Sequence, residues 1–554
     1  MKNNIPFYFL LLLPSIAASQ GGGTKTNNLG NEDINVVKEY QPVLNDAFKI
    51  NIYPESDTST FRDKQSLNYS LEARPMNSNY NTSPIKPVRI KDDAIKKLYH
   101  GFVKAGYGLE NMPLLDVSFN SIRSKNFDAG VRYKHLSTSG KIKDYGFPGN
   151  SNNHIDLFGT RYFEKFKLGA DLIYNRNVVH FYGFKTPPEL FSKSETKHSM
   201  SDVEGSVKLQ SLDVDKDKWR YQSALSFYNF SDNRKASENN AVFSIGGSKL
   251  MNNATFILNA SGEFGKIEQE SFSFNRSIIR FRPRFNITQD LFSIDIGANL
   301  ALESNNNNSD YRLYPYVKAE YQVINDAVKI FAELSGDLIR NDLRSFSRQN
   351  PFFGSSVPLA NTNQRLGLSG GASIKLEHDL MFTGIVNWAR LKNQPFFINN
   401  FEIPTTFSVY YDKATLLQLK GSLEYKQSEK IAAGISVEYN NYNTDKLKEQ
   451  LYIPSFRLGF NSHYAIAEKI FIKADLFYNS NITGIEYTSV NSVVTSDYKN
   501  LKGWMDANIG IDYRYSKVLS AFVSLNNIGF AQYFRWYQYP SYRLLGLAGI
   551  TYSF

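Results

Sequence analysis

Apolar and polar side chains alternate along most of the chain after about residue 98. In the stretch RYFEKFKLGADLIYN, residues 161–175, two alternating runs meet at Glu164 and Lys165 without a glycine, proline or asparagine. Because successive side chains of a strand point to opposite faces, a period of two predicts a β-strand with one apolar face. That face consists of Phe166, Leu168, Ala170, Leu172 and Tyr174.

The same pattern recurs after two other Glu-Lys pairs. EKIAAGISVEYN begins at Glu429 and EKIFIKADLFYN begins at Glu468, and both end in Tyr-Asn as the first stretch does. From the first apolar residue to the closing tyrosine, each strand would rise about 26 Å, which covers the apolar band of roughly 25 Å on a transmembrane β-barrel. A soluble β-sandwich also alternates, but it requires no aromatic residue at one fixed height. The repeat therefore favours a membrane barrel.

Short and long connections alternate between these strands. The predicted short turns are residues 124–126, 164–165, 214–217, 251–253, 288–290, 325–327, 377–379, 427–430, 467–469 and 515–517. The predicted longer loops are residues 137–150, 177–198, 232–239, 261–266, 304–310, 342–362, 391–404, 441–451, 480–500 and 531–540, with residues 110–113 shorter than the rule expects. Tight periplasmic turns and longer outside loops are typical of bacterial outer-membrane barrels. We predict an all-β, antiparallel up-and-down transmembrane barrel of about 22 strands, within 20–24, with both termini periplasmic.

The first twenty residues have the three regions of a secretory signal peptide. Lys2 supplies a positive start, residues 7–13 are apolar but too few to span a bilayer, and Ala17 and Ser19 are the small residues before a cleavage that would leave Gln20 first. No later stretch is long and apolar enough for a transmembrane helix, so a membrane form of the protein would have to be a barrel. The predicted divisions are a signal peptide at 1–19, an irregular periplasmic or lumen-filling segment at 20–97, and the barrel at 98–554.

Composition excludes several classes of function. The chain has no cysteine, which removes disulfides, thiolate metal sites and a lipoprotein anchor. Its net charge of +10 is spread singly along strands and turns instead of forming a patch, which argues against nucleic-acid binding. The seven histidines form no HExxH or closely spaced ligand pair. We therefore expect no catalytic, cofactor or metal site, and no enzyme activity.

The polar face of the predicted strands carries charged residues. A lysine facing lipid near the middle of the membrane would cost roughly 2–4 kcal/mol, so these charges are expected to face a wet lumen. They are Lys167, Asp171, Glu438, Lys473 and Asp475.

Two aromatic stretches fall in predicted outside loops. The rings of FRWYQY, residues 534–539, could stack on a sugar or a partner, but we expect them mainly in the aromatic girdle at the outer membrane interface. In QPFFINNF, residues 394–401, three phenylalanines in a loop exposed to water would need a cover. We therefore expect Phe396, Phe397 and Phe401 to belong either to a lid folded into the lumen or to a surface that a partner covers.

The C-terminal residues add a resemblance to a known family. The stretch NNIGFAQYFRWYQYP resembles the last hairpin of TonB-dependent receptors, and the final strand, apart from Leu547, resembles the signal that the barrel-assembly machinery reads. The glutamine after the predicted cleavage site is similar to outer-membrane proteins of Bacteroidota. The residues that carry the resemblance are Asn527, Ile528, Tyr533, Tyr539 and Pro540 for the hairpin, and Gly549, Tyr552 and Phe554 for the signal.

Receptors of that family carry a folded plug domain ahead of a 22-stranded barrel, and residues 20–97 are too short and irregular for a full plug. Two functions stay open: solute transport or uptake across the outer membrane, and a non-enzymatic barrel subunit of a secretion or outer-membrane assembly complex. The expected partners are outer-membrane lipid and lipopolysaccharide, the barrel-assembly machinery during biogenesis, and a protein bound through the outside loops or residues 20–97.

Overall fold

The structure is a computed structural model that describes residues 98–554, apart from residues 123, 185–190, 213–214, 216–217, 271, 307, 378, 429 and 491–492. Twenty-two strands form one antiparallel sheet, and this sheet closes into a barrel because the first strand pairs with the last. The predicted fold class and strand number are confirmed. The predicted cleavage residues Ala17, Ser19 and Gln20 and the segment 20–97 lie outside the described residues.

The strands of the barrel follow one another around the sheet in chain order. They are β1 (Gly101–Gly108), β2 (Met112–Asn120), β3 (Phe127–Thr138), β4 (Asn150–Tyr162), β5 (Phe166–His180), β6 (Lys197–Ser211), β7 (Arg220–Asp232), β8 (Ser237–Met251), β9 (Ala254–Gln269), β10 (Phe272–Gln289), β11 (Phe292–Asn305), β12 (Asn308–Ile324), β13 (Val328–Ile339), β14 (Thr362–Glu377), β15 (Leu380–Asn399), β16 (Phe407–Gln427), β17 (Ile431–Thr444), β18 (Phe456–Ile466), β19 (Ile470–Asn479), β22 (Trp504–Arg514), β23 (Leu519–Asn526) and β26 (Leu545–Ser553).

The connections contain the remaining elements. A hairpin of β20 (Ile482–Val490) and β21 (Val493–Leu501) follows β19, and a small hairpin of β24 (Phe534–Trp536) and β25 (Tyr539–Pro540) follows β23. The helices are α1 (Lys193–Thr196) and α2 (Leu343–Gln349). Among the described residues, no helix has the length and the apolar character needed to span a membrane.

The predicted short turns lie at one end of the barrel. The other end, called the long-loop end below, holds the longer connections and also the short ones between β1 and β2, β9 and β10, and β11 and β12. Two of the predicted loops are wrong. Residues 261–266 belong to β9, which ends at Gln269, and β10 begins at Phe272. Inward polar side chains such as Ser261 and Glu263 alternate with outward residues there, so this part of the strand has the polar composition of a loop. Residues 391–399 belong to β15, so the loop after that strand is residues 400–406.

The apolar face of each strand points outward. On β5, Leu168 and Leu172 are 40% and 46% exposed, and Phe285 and Ile296 are about as exposed on the strands further around. Large apolar side chains of a water-soluble protein are usually buried. An exposed belt of such side chains is therefore stable only where an apolar medium covers it. The main hydrophobic core lies instead at the long-loop end of the barrel.

Two neighbouring strands bend at one height near that end. The pairing register shifts between Ser335 and Asp337 on β13 and between Gln364 and Leu366 on β14. Such bulges bend a strand and increase its twist. Gly336 lies in the first bulge, where an added Cβ would stand 2.6 Å from the ring of Tyr314, so the bend depends on the missing side chain. The residues between these strands, 340–361, are called the lid segment below.

Candidate functional site: a capped mouth and a charged wall

The lid segment begins with a helix that the sequence encodes locally. Asp342 is the N-cap of α2, and its side chain accepts from the backbone N–H of Ser345 at 2.6 Å. The Ser345 hydroxyl accepts in return from the backbone N–H of Asp342 at 3.0 Å, which completes a capping box. The helix directs Leu343 and Phe346 into the core, where both are fully buried.

A hydrophobic cluster, called the cap below, joins the lid segment to the other long connections. Its stacked rings include Phe352 and Tyr539, whose centroids are 3.9 Å apart, and Phe407 packs on Trp536 at 5.2 Å. The buried members from the connections are Ala236 between β7 and β8, Leu343, Phe346, Phe353 and Val357 of the lid segment, Leu451 and Tyr452 after β17, Ile482, Ile485 and Leu501 of the β20–β21 hairpin, and Tyr539 after β23.

The cap also touches two distant parts of the barrel wall. On one side its wall members are Val179, Met200, Phe230 and Ile267, on strands between β5 and β9; on the other they are Leu391, Leu416 and Tyr442, on β15, β16 and β17. Five strands, β10 to β14, lie between these two groups on the shorter way around the sheet, so one continuous core bridges the mouth of the barrel.

Ion pairs fasten the lid segment to the inner wall. Arg340 donates to Glu238 on β8 over 2.5 Å and to Glu263 on β9 over 3.0 Å, and it also bonds Asp342. Arg344 donates to Asp202 on β6 over 3.1 Å. These contacts are largely enclosed, and charged groups in such surroundings require partners because their hydration has been lost.

The protonation states of the lid segment suit these contacts. Burial raises the pKa of Asp342, but the guanidinium of Arg340 and the backbone N–H of Ser345 outweigh it and hold that pKa below its usual range. For Arg344, burial lowers the pKa, and the carboxylates of Asp202 and Glu204 more than offset it, so the net pKa is raised. The carboxylate and the guanidinium are therefore both charged near neutral pH.

The charges predicted to face the lumen lie along the wall away from the lid segment. Asp171 accepts from Ser206 at 3.1 Å and from Lys208 at 2.6 Å across β6. Glu438 is almost completely buried and accepts from Gln418 at 3.1 Å. Lys167 lies opposite Gln210, Lys473 opposite His463, and Asp475 opposite Asn461 in their strand pairs. A role for these five residues in the passage of solute stays a prediction.

The three predicted lid phenylalanines separate in the structure. Phe396 and Phe397 lie on β15 instead of in a loop, and both are buried in the cap, where Phe396 contacts Tyr442 and Phe397 contacts Phe346. Phe401 lies in the connection after β15 and is 44% exposed. Residues 534–539 were expected mainly in an outer girdle, yet Trp536 packs within the cap and Tyr539 is buried there.

The receptor-like C-terminal residues organise the connection after β23. Asn527 has a φ of 55° and its side chain donates to the carbonyl of Ala531 over 2.6 Å, so it shapes the turn. The Tyr533 hydroxyl donates to Asp506 over 2.6 Å, and Ile528 is exposed. Tyr539 belongs to the cap, and the carbonyl of Pro540 accepts from the Tyr182 hydroxyl at 2.9 Å.

The residues of the predicted assembly signal lie at the seam that closes the barrel. Gly549 of β26 pairs with Gly106 of β1, and the carbonyl of Phe554 accepts from the backbone N–H of His100 at 2.6 Å. Tyr552 and Phe554 are exposed, and their rings are 6.4 Å apart. Recognition of these residues by the assembly machinery stays a prediction.

The sequence reasoning missed the residues that fasten the lid segment. Asp342 followed by Leu343 and Phe346, with apolar residues three apart, is the pattern of a capped helix, although the polar composition of residues 342–362 predicts a loop. Within the part of the chain that the structure describes, no three His, Asp or Glu side chains converge in a way that could hold a metal ion.

Neither a family model nor a curated protein sequence matches the chain. Solved structures do match it in fold. The FrpB iron transporter from Neisseria meningitidis superposes with a TM-score of 0.64 at 9% identity, covering 83% of this chain and 82% of that one. The ferripyoverdine receptor of the outer membrane of Pseudomonas aeruginosa gives 0.62 at 11% identity, with 83% and 72% covered.

The ferric-catecholate import receptor Fiu from K12 E. coli superposes with a TM-score of 0.60 at 10% identity, covering 82% of each chain. These neighbours are TonB-dependent receptors. At such low identity the likeness establishes that the chain shares their barrel fold.

Proposed function

We propose that this protein is an integral outer-membrane barrel, similar to TonB-dependent receptors, that takes up a solute through a lumen whose outer mouth is closed at rest. The outward apolar belt would face membrane lipid, with lipopolysaccharide at the outer leaflet. The short turns and both termini would face the periplasm, and the long loops the outside. Folding would then require the barrel-assembly machinery.

The observation that carries this proposal is the cap, which joins opposite parts of the wall in one core. An open barrel of this strand number would leave an aqueous channel. A membrane cannot tolerate a permanent opening of that size, so a transporter built on this barrel needs a closed resting state. The cap supplies closure on the outside, and the ion pairs of Arg340 and Arg344 hold it in place.

Bilayer conductance tests the proposal. The full chain in a planar bilayer should conduct weakly, whereas a variant in which a short Gly-Ser linker replaces residues 343–359 should form large, long-lived openings. A matched control replaces residues 139–149, the connection between β3 and β4, in the same way, because no side chain of this connection belongs to the cap. The proposal is wrong if the unaltered chain already conducts as a wide pore, or if removal of the lid segment changes nothing more than removal of the control connection does.

A second function, a barrel subunit of a secretion or assembly complex, is favoured by one exposed apolar spot. Phe401 and Ile403 are 44% and 51% exposed at the long-loop end, and the ring of Phe401 lies 6.5 Å from that of Tyr487. Exposed apolar side chains that lie together suit a protein interface. Under this alternative, purification from native membranes should retain a stoichiometric protein partner, and Phe401→Asp should release it; under solute uptake no such partner should copurify.

A further inference from the structure

The lid segment has one attachment that depends on a histidine. His198, near the start of β6, is completely enclosed. Its Nε2 lies 3.1 Å from Oδ2 of Asp232 on β7, and its Nδ1 lies 3.3 Å from the backbone carbonyl oxygen of Pro351 in the lid segment. Both ring nitrogens therefore face an oxygen that can only accept a hydrogen bond.

This arrangement distinguishes between the two charge states of the ring. A neutral imidazole has one N–H, so either tautomer satisfies one oxygen and turns a lone pair toward the other. A protonated ring donates from both nitrogens and satisfies both. The bond between His198 and Pro351 is thus formed together with the bond to Asp232 only when the ring carries a second proton.

Polar and aromatic groups contact both the His198 ring and its partner Asp232. Asp232 also accepts from the hydroxyl of Ser355, again from the lid segment, and from the backbone N–H groups of Arg234 and Ala236 at 2.8 Å each. The His198 ring stacks on Phe181, with 5.1 Å between centroids. Two charged groups lie near the ring: the carboxylate of Asp232, whose negative charge favours protonation, and the guanidinium of Arg234, which lies 4.8 Å from the Phe181 centroid and opposes it.

Phe353 of the lid segment completes the enclosure, with its centroid 5.7 Å from that of the ring. The lid segment thus contacts this one histidine through a carbonyl and an aromatic ring, and it reaches the carboxylate partner of the histidine through a hydroxyl. A change in the charge of the ring would be felt directly by the lid segment, because no solvent lies between them to screen it.

Two other polar groups that attach the lid segment, Asp342 and Arg344, are held in their charged forms, as their pKa directions show. Among unperturbed side chains, histidine is the one that changes charge between pH 5 and 8. The attachment at Pro351 is made by a histidine, and its geometry distinguishes the two charge states of the ring.

We infer that His198 is a proton-dependent latch, which holds the lid segment closed through Pro351 when its ring is protonated and loosens it when the ring is neutral. The sign follows from the donors: the latch is complete at low pH and is lost as the pH rises. This switch concerns the closed state of the cap and does not depend on which solute, if any, crosses the barrel.

Spin labels on the full chain in lipid nanodiscs can test the latch. The chain has no cysteine, so two introduced cysteines can be labelled uniquely. We choose Ser356→Cys on the lid segment and Lys413→Cys on β16, where the lysine side chain is exposed. The distribution of distances between the two labels, measured at pH 5.5 and pH 8.5, gives the fraction of molecules in which the lid segment is displaced. Loss of one buried hydrogen bond predicts a rise of that fraction by about tenfold.

Two further variants assign the pH response to this site. His198→Gln cannot gain a second proton and should give the same distances at both pH values, whereas the control His154→Gln, on the wall at β4, should keep the response. Asp232→Asn removes the anion that favours the protonated ring and should move the midpoint to lower pH. Folding of each is checked by the heat-modifiable shift on gels. A wild-type lid that does not respond to pH overturns the inference, as does an unchanged response in His198→Gln or an unmoved midpoint in Asp232→Asn.

Discussion

Arg340 of the lid segment donates to Glu238 of the wall over 2.5 Å, and the side chain of Glu238 has no exposed surface at all. The same guanidinium reaches Glu263 and Asp342, so one cation compensates three enclosed carboxylates. Such a network gains little over an apolar core of the same shape, but removing one member leaves the others buried without a partner.

We therefore predict that Arg340→Ala releases the lid segment. Glu238 would then be enclosed without its ion-pair partner, whereas Glu263 would keep its ion pair with Arg280. The loss should cost about 3–5 kcal/mol and favour the open lid, because water can then reach Glu238. The measurement is bilayer conductance, which should rise to that of the lid-replacement variant. The matched control is Arg348→Ala: this arginine stands 3.6 Å from Asp202 with a side chain 39% exposed, and its loss should cost less than about 1 kcal/mol. Equal conductance of the two variants would contradict the assignment.

A second prediction concerns the hydrophobic part of the cap. Phe353→Ala removes a fully buried ring and should make closure of the lid segment less favourable by about 3–5 kcal/mol. Phe401→Ala changes a ring of the same size that is 44% exposed and should have a much smaller effect. Limited proteolysis of the folded barrel, followed by mass spectrometry of cuts within residues 340–361, measures the difference. Similar cleavage in both variants would show that the cap does not hold the lid segment.

The strands could be predicted because residues two positions apart share one face of a sheet, so the alternation of apolar and polar residues is visible in the sequence itself. The turn at residues 467–469 was predicted at the observed position, and Ala467 and Glu468 adopt positive φ there without a glycine. The flanking strands are fixed by the barrel, so the turn residues need not specify the hairpin alone. The prediction of a loop at residues 261–266 is wrong because polar side chains that face a wet lumen give a strand the same composition as a loop.

The cap could not be predicted, because its contacts join residues that are far apart in the chain. Tyr182 bonds Pro540 across 358 positions, and Tyr228 bonds Asp342 across 114. The alternation of apolar and polar residues predicts the face that Glu238 occupies, but it does not predict that the lid segment folds inward and contacts this residue. The need for a cover over Phe396 and Phe397 could be read from their apolar character; the cover itself, made of Phe346 and Trp536 among others, required the fold.

A third prediction tests the two faces of β5. Ala170 is exposed between Leu168 and Leu172, so Ala170→Lys would place an ammonium group in lipid near the middle of the strand at a cost of about 2–4 kcal/mol. Asp171→Lys removes a pair with Lys208, whose side chain is 59% exposed, and should cost less than about 1 kcal/mol. Heat-modifiable gel shifts of membrane fractions should show reduced assembly for Ala170→Lys alone. Equal assembly of both would mean that the faces are assigned the wrong way round.

The last prediction separates closure of the barrel from recognition by the assembly machinery. An added Cβ on Gly549 would stand 2.1 Å from the carbonyl oxygen of Ala105 and 2.7 Å from the ring of Phe522, so Gly549→Ala cannot pair β26 with β1 without moving the backbone. Gly159→Ala on β4 is the control, because no atom lies within 4 Å of its added Cβ. If the seam is the reason for this glycine, Gly549→Ala should lower the folded fraction both in cells and during refolding into detergent micelles, where no machinery is present. Normal refolding in micelles combined with failure in cells would instead make Gly549 a recognition residue, and the steric account of the seam would be wrong.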